Sequence, residues 1–358
     1  MLEQIRSCLK QAIEEKAFPG AVVGISVNGE RSFVSEGRFT YEPDSKKMWR
    51  DAIFDCASIT KSIPTSALAL HLIDHGMLSL SDRLISYVPE YKGCFRENIQ
   101  IKHLLTHTLE FNFRLSDYKE LSPSEIIETI FSVKLKSAPG ENFFYANATS
   151  ILLGLVIERI CAKKLPEIAK EVFFNPLGMN ETTFYPDSQN ENIVPTERDP
   201  WRGREIRGEV HDESAWALRP VVIAGSAGLF SKAADLLAFS EMLLAGGTDG
   251  NRRFFSEKMV RLMQTNQLSG TKGKKTGLGW ELDQEYMGRK RGSQTFGKTG
   301  FTGTVIVCDL PRQVSFVLLS NFTWPSRKKD RSQINRIRSQ VSDLVFDLAE
   351  KRHTESQI

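Results

Sequence analysis

A serine followed three places later by a lysine, Ser58 and Lys61 in "FDCASITKSI", pairs a hydroxyl with an amine that could take its proton. A serine hydroxyl is a poor nucleophile until a neighbour accepts that proton, and a lysine does so only where burial or nearby positive charge keeps it neutral. The spacing selects nothing by itself, because Ser-x-x-Lys recurs at Ser7/Lys10, Ser116/Lys119, Ser269/Lys272 and Ser326/Lys329. Context separates the copies. Ser58 follows a strand-like run, "AIFDCA", and leads into "ITKSIPTSALALHLIDHG", which carries a helical apolar period as far as Gly76. A serine at such a junction lies at a helix start, with Lys61 one turn on and near the same face. The competing reading of Ser58 is a plain helix cap.

A lysine-based acyl-transfer site also needs a group that returns a proton to the leaving group, and polar or positive groups that hold a substrate anion. Of the seven tyrosines only Tyr145 has an asparagine two places on, Asn147 in "PGENFFYANATSILLGLVIE". A phenol can exchange a proton, and an asparagine can both donate and accept toward an amide; otherwise the pair is a loop tyrosine and a helix cap. Lys-Thr-Gly occurs twice, at Lys275-Thr276-Gly277 and at Lys298-Thr299-Gly300. The first sits in the basic, glycine-rich "SGTKGKKTGLGW" and reads as an exposed loop. The second leads into a strand pair as "FGKTGFTGTVIVCDL", where small residues let a substrate approach the backbone. Rigid elements position sites better than loops, so Lys298 is the choice.

Two histidine pairs at i, i+4, His71/His75 and His103/His107, raise a metal-hydrolase alternative. Neither encloses the glutamate that His-Glu-x-x-His uses as base, and the pairs read as caps or linings of packed helices; no metal and no cofactor is called for. The cysteines, Cys8, Cys56, Cys94, Cys161 and Cys308, are spread out and odd in number, and read as buried or free thiols in a reducing compartment.

These groups need a frame. Leu2, Ile5, Leu9 and Ile13 share one helical face near the start, as do Ile334, Ile337, Val341, Leu344, Val345 and Leu348 near the end. Beside them lie "AVVGISVNGERSFVSEG", a hairpin pattern around Asn28-Gly29, and "GTVIVCDLPRQVSFVLLSNF", two β-rich runs around Pro311. Strands at both ends of the chain, each next to a terminal helix, imply one sheet completed by distant residues with helices on a face. Between them, helical patterns near 62–75, 124–134, 148–162, 165–174 and 233–244 make an α-rich region inserted in the α/β frame. The whole is one domain, with an α/β part at about 1–60 and 225–358 and an α-rich part at about 61–224. The stretch 186–216 reads as a long loop.

With 47 basic against 44 acidic residues in 358, the chain is too near charge balance to call for a nucleic acid. The densest basic run, "SRKKDRSQINRIRSQ", reads as a solvated helix face. No apolar stretch is long enough to span a bilayer. The N-terminus lacks a signal-peptide pattern, which points to a cytoplasmic protein, an exported chain with its leader removed being the alternative.

Ser-x-x-Lys, Tyr-x-Asn and Lys-Thr-Gly in this order resemble the serine β-lactamase and penicillin-binding protein superfamily, and the middle element resembles its class C β-lactamase and esterase branch. The likeness extends over nearly the whole chain, through "FPGAVVGISVNGE", "GMLSLSDRLISYVPEY", "IQIKHLLTHT", "NPLGMNETTF", "GEVHDESA", "GSAGLFS" and "LGW". It implies a mainly antiparallel sheet flanked by helices, with an inserted all-α subdomain and the site between the two. It further implies Ser58 as acylated nucleophile, Lys61 as its activating neighbour and Tyr145 as proton shuttle. Asn147 would contact a substrate amide, Lys298, Thr299 and Gly300 would bind the substrate, and the backbone N–H groups of Ser58 and Phe301 would form an oxyanion hole. The implied activity is hydrolysis of small esters, β-lactams or D-amino-acid peptides, a catalytically silent ligand-binding relative being the other outcome. Three departures stand out. Pro64 falls just past Lys61 and would loosen that helix; "LLTH" is followed by "TLEF" where the family pattern reads Thr-Ser-Gly; and Lys298 stands where many esterase relatives carry histidine.

Overall fold

The computed structural model describes residues 1–270 and 274–355. The strands β1 (Gly20–Val27) and β2 (Glu30–Gly37) form the first hairpin. They join β3 (Glu281–Leu282), β4 (Thr295–Thr299), β5 (Val305–Asp309) and β6 (Val314–Ser320) in one antiparallel sheet of order β2-β1-β6-β5-β4-β3. The N-terminal hairpin closes through Asn28 (φ 52°) and Gly29 (φ 82°), the left-handed pair that a two-residue turn between twisted strands requires. β1 pairs with β6 in the register Val23↔Leu318, so the sheet is completed by residues nearly 300 positions apart, as the terminal β-rich runs imply.

Every residue of β1 is buried, because both faces of the sheet are covered. On one face Val23, Ile25, Val305, Val307, Phe316 and Leu318 pack under the terminal helices Leu2–Glu14 and Ser332–Glu355, which contribute Ile5, Leu9, Ile334 and Val341. On the other, Val22, Ile306, Cys308, Val317 and Leu319 meet the helix Ala233–Leu244 and the α-rich region. Each such aliphatic side chain contributes about 1.5–3 kcal/mol when fully buried, and the two-residue alternation decides which face it joins.

The α-rich region contains the helices Pro123–Phe131, Asn147–Cys161 and Leu165–Ala169, near their expected places. The expected helix at 62–75 is broken. A tight 3-10 turn, Ala57–Lys61, runs into a wider turn, Ser62–Ser66, and regular helix begins only at Ala67. Ile63, at φ −121° and ψ 112°, is the break, since the proline ring that follows drives its predecessor out of the helical region. The stretch 186–216 is not all loop. It carries the short strand pair Glu197–Asp199 and Arg204–Ile206 and the start of the helix Glu213–Leu218.

Candidate active site

Ser58 stands where the chain leaves the two-residue strand Phe54–Asp55 and tightens into the 3-10 turn. Ala57 just before it holds φ 45°, a left-handed conformation that costs a non-glycine residue on the order of 1–3 kcal/mol. The local bonding that retains it is dense. The buried carboxylate of Asp55 accepts the N–H of Ala57 at 2.7 Å and that of His211 at 2.7 Å, and the Thr60 hydroxyl donates to the Ala57 carbonyl at 2.6 Å. The bend turns the Ser58 side chain toward Lys61.

Lys61 Nζ lies 3.0 Å from Ser58 Oγ and donates to the Ser226 carbonyl at 2.8 Å, and the residue is 2% exposed. Burial lowers its pKa below the ordinary lysine value; the Tyr145 phenol opposes this, and the positive charge of Lys298 adds to it. Lys298, on β4 and also buried, is pushed the other way. Burial works against its charged form, but the Glu281 carboxylate, 2.6 Å away, and the Tyr145 phenol outweigh it. Two neighbouring amines therefore differ in protonation tendency, one inclined to neutrality and one held charged, the separation that divides acid from base roles.

Tyr145 sits between them, its ring centroid 5.0 Å from Lys61 Nζ and 4.4 Å from Lys298 Nζ. Burial would raise its phenol, yet the charges of Lys298 and Lys61 outweigh burial and the net shift is downward, helped by hydrogen bonding to Ser58. The residue precedes the helix Asn147–Cys161, whose first residue, Asn147, donates from Nδ2 to Asp212 Oδ2 at 3.0 Å. Thr299 ends β4 and Gly300 follows it. A Cβ on Gly300 would collide with Thr304 Oγ1 and with the Cys56 carbonyl, so this close crossing of the two site segments requires glycine. The backbone N–H of Phe301 has no acceptor among the described residues, and Ser58, the second residue of its short helix, has no intrahelical acceptor for its own. The sequence-derived set thus converges, from the Ser58 turn, the Tyr145 loop and the end of β4.

The rival motif elements lie elsewhere. Lys275 is exposed and paired with Asp283 at 2.8 Å, while Thr276 donates to the Trp280 carbonyl at 2.8 Å in the turn before β3. Among the other Ser-x-x-Lys copies, Ser7/Lys10 lies within the N-terminal helix, Ser116/Lys119 at a surface turn and Ser326/Lys329 in the connection before the last helix; Lys272 lies outside the described residues. The histidine pairs serve packing. The His71 and His75 rings lie 4.1 Å apart at a tilt of 41°, His71 Nδ1 meets the Phe254 carbonyl, and His103 Nδ1 accepts the Gln100 N–H at 3.0 Å. Among the described residues no group of three or more His, Cys, Asp or Glu side chains forms a ligand set.

Several site neighbours escaped the motifs. Asp212 caps the helix Glu213–Leu218 through Ala215 N while holding Asn147. His211 stacks on the Phe301 ring at 5.7 Å and hydrogen-bonds Glu197 at 2.7 Å. Both lie in "GEVHDESA", whose acid-rich turn before an apolar run is a cap signal without a catalytic one. His107 packs against the Tyr145 ring at 4.9 Å. The basic C-terminal run also departs from its solvated-face reading. Arg338 is 2% exposed and donates to the carbonyls of Gly300 at 2.9 Å and Thr304 at 2.8 Å, and burial pushes its guanidinium down to about 9. It occupies a core-facing turn of the helix, where loop carbonyls rather than water receive it.

Residues 5–338 match the family model described as Beta-lactamase. The chain belongs to the beta-lactamase family. A relative from Escherichia coli (strain K12), named "Putative D-alanyl-D-alanine carboxypeptidase", is 29% identical over 305 residues, covering 75% of this chain and 69% of the relative. The solved hydrolase EstCE1, described as having promiscuous acyltransferase activity, superposes with a TM-score of 0.76 at 22% identity, over 96% of this chain and 98% of that one. A beta-lactamase/D-alanine carboxypeptidase from Pseudomonas syringae gives a TM-score of 0.75 at 19% identity, over 96% and 98%. At these identities the two structures show the fold, which is that of beta-lactamase-family serine hydrolases. Members of this family bind small-molecule or peptide substrates. No helix among the described residues is long and apolar enough to cross a membrane.

Proposed function

We propose that this beta-lactamase-family chain is a serine hydrolase that turns over small esters or amides through an acyl-enzyme on Ser58. The observation that carries the reading is the 3.0 Å approach of a buried, pKa-lowered Lys61 amine to the Ser58 hydroxyl. With one of its protons given to the Ser226 carbonyl, neutral Lys61 has a lone pair to accept the hydroxyl proton as Ser58 Oγ attacks the substrate carbonyl. The developing oxyanion takes the N–H groups of Ser58 and Phe301. Tyr145, between Lys61 and Lys298, returns a proton to the departing oxygen or nitrogen, and water then releases the acyl group by the reverse traffic. Asn147, steadied by Asp212, receives a polar group of the substrate, while Lys298, Thr299 and Gly300 contact it from the end of β4.

Esters and lactams are the first reading, because the Lys298 charge is already matched by Glu281 at 2.6 Å and offers less to a substrate carboxylate than a free ammonium would. A D-amino-acid carboxypeptidase is the second, supported by the name of the Escherichia coli relative and by the lysine itself. Intact-mass spectrometry after incubation with a fluorescent penicillin and, separately, a phosphonate ester probe tests the mechanism. An adduct on the wild type that is absent from Ser58→Ala is expected. If neither probe labels the wild type, a silent ligand-binding relative replaces the hydrolase.

A further inference from the structure

Two arginines near the C-terminus hold the turn 300–304 that joins β4 to β5. Arg338, on the last helix, donates from Nη2 to the Gly300 carbonyl at 2.9 Å and to the Thr304 carbonyl at 2.8 Å, and from Nη1 to Asn335 Oδ1 at 2.9 Å. Arg331 donates to the Phe301 carbonyl at 2.6 Å, its guanidinium 4.5 Å from the centre of the Phe301 ring. The bond to Gly300 reaches the candidate oxyanion hole. The Gly300 carbonyl and the Phe301 N–H belong to one planar trans peptide, whose two polar ends point in opposite directions. Tying the carbonyl to the last helix therefore leaves the N–H directed away from that helix, on a turn that crosses the chain at Cys56, two residues before Ser58. Hydrogen bonding at the carbonyl also polarises the amide and strengthens its N–H as a donor.

Charge adds to orientation. Among the described residues the hydrogen bonds of Arg338 all end on neutral oxygens. Burial and the neighbouring Arg331 charge push its guanidinium down to about 9, with Tyr286 and Glu281 opposing, so it stays cationic at neutral pH. A buried cation that bonds no carboxylate is costly, and an anion formed one peptide away would compensate it.

Resting on the acyl-enzyme reading above, we propose that Arg338 is a positioning residue of the oxyanion hole: through the Gly300 carbonyl it fixes and polarises the peptide that presents the Phe301 N–H, and its buried charge offsets the oxyanion. It acts through that peptide and not on the substrate. Its contribution belongs to the transition state, because the substrate carbonyl oxygen gains its full charge only as Ser58 attacks.

The test reads three quantities on the wild type, Arg338→Met and Arg338→Lys. They are kcat/KM for p-nitrophenyl acetate, inhibition by phenylboronic acid, which Ser58 Oγ converts to a tetrahedral, anionic boronate, and binding of the same ester in a Ser58→Ala background. Arg338→Met should lower kcat/KM by about 10- to 100-fold, less than deleting a donor outright, weaken the boronate by a similar factor and leave ester binding within about twofold. Arg338→Lys, which keeps a charge and a donor, should recover part of both losses. An Arg338→Met that matches the wild type toward ester and boronate overturns the proposal. So does one that loses ester binding by the same factor, the mark of a site that is merely distorted. If Arg338→Met does not fold, Asn335→Ala, which frees Nη1 of the same guanidinium from a partly exposed position, takes its place. It should shift kcat/KM and boronate affinity together by a smaller factor, and no change in either overturns the proposal. A wild type inert toward both ester and boronate removes the acyl-enzyme reading and this proposal with it, whereas an active wild type with indifferent variants removes the proposal alone.

Discussion

Lys298 and Glu281 form an ion pair across neighbouring strands, Nζ donating to Oε1 at 2.6 Å, with side chains only 4% and 16% exposed. The pair positions an ammonium beside Tyr145 and sets its protonation. Removing one partner of a buried pair leaves the other charge uncompensated, at a cost of about 3–5 kcal/mol. Glu281→Gln should therefore lower the thermal unfolding midpoint clearly at neutral pH. An unchanged midpoint would mean that solvent reaches the pair.

The two Lys-Thr-Gly copies are separable by mutation. Lys298→Ala should lower kcat/KM for a nitrophenyl ester by about 100-fold or more, the scale of losing one preorganised electrostatic contact. Lys275→Ala should leave it near wild type, since Lys275 is an exposed partner of Asp283. The reverse pattern would sink the assignment of Lys298.

Lys61 gives a pH profile. Its pKa lies below the ordinary lysine value, chiefly through burial, and the reaction uses the neutral amine. Activity should therefore rise with pH along a limb whose midpoint falls below that of a free lysine. Lys61→Ala should cost about 100- to 10,000-fold in acylation rate, the range for a lost general base. Steady-state rates between acid and alkaline pH report both, and a limb at or above the free-lysine value contradicts the role.

Asp212 has two duties that two substitutions can divide. Asp212→Ala removes a helix cap, worth about 0.5–2 kcal/mol, and frees Asn147. Asp212→Asn should retain most of the cap but weaken the hold on Asn147. Reduced kcat/KM with near-native melting is expected for Asp212→Asn; loss of stability without loss of activity would make the residue structural only.

His107 links stability to pH. Its Nδ1 is 2.8 Å from Thr149 Oγ1, whose own proton goes to the Ala146 carbonyl at 2.7 Å, so both contacts are satisfied when the neutral ring donates. Burial, with Lys298 and Lys61 nearby, holds its pKa well below the usual 6.5. A group depressed in the folded state has its stability in full above the unfolded pKa and loses it as pH falls toward the folded one. At roughly pH 5.5, below the ordinary histidine value, the unfolded chain takes up the proton more readily than the folded chain, so stability is lost there. Chemical denaturation at neutral pH and at this pH should show a smaller loss for His107→Gln than for the wild type. Equal losses would place the ring in contact with water.

Much of this molecule is legible along the chain because local chemistry and periodicity travel with the residues. The alternation in β1, the Asn28-Gly29 turn and the apolar faces of both terminal helices prescribe the frame, and Ser58, Lys61, Tyr145, Asn147 and Lys298 are motif residues whose order implies the family. Even the break before Pro64 is written locally, though only its φ and ψ show that it spares the 3-10 turn.

Tertiary structure decided what surrounds those residues. Glu281 reaches Lys298 through strand pairing, Asp212 reaches Asn147 from 65 residues away, and Arg338 reaches the Gly300 carbonyl from the last helix. A charge run has the same composition whether it faces water or a loop full of carbonyls, so sequence left Arg338 on the surface. Protonation is likewise a property of place. Lys61 and Lys298 are the same amine in the chain, and only burial and the position of one carboxylate push one toward base and hold the other as a cation.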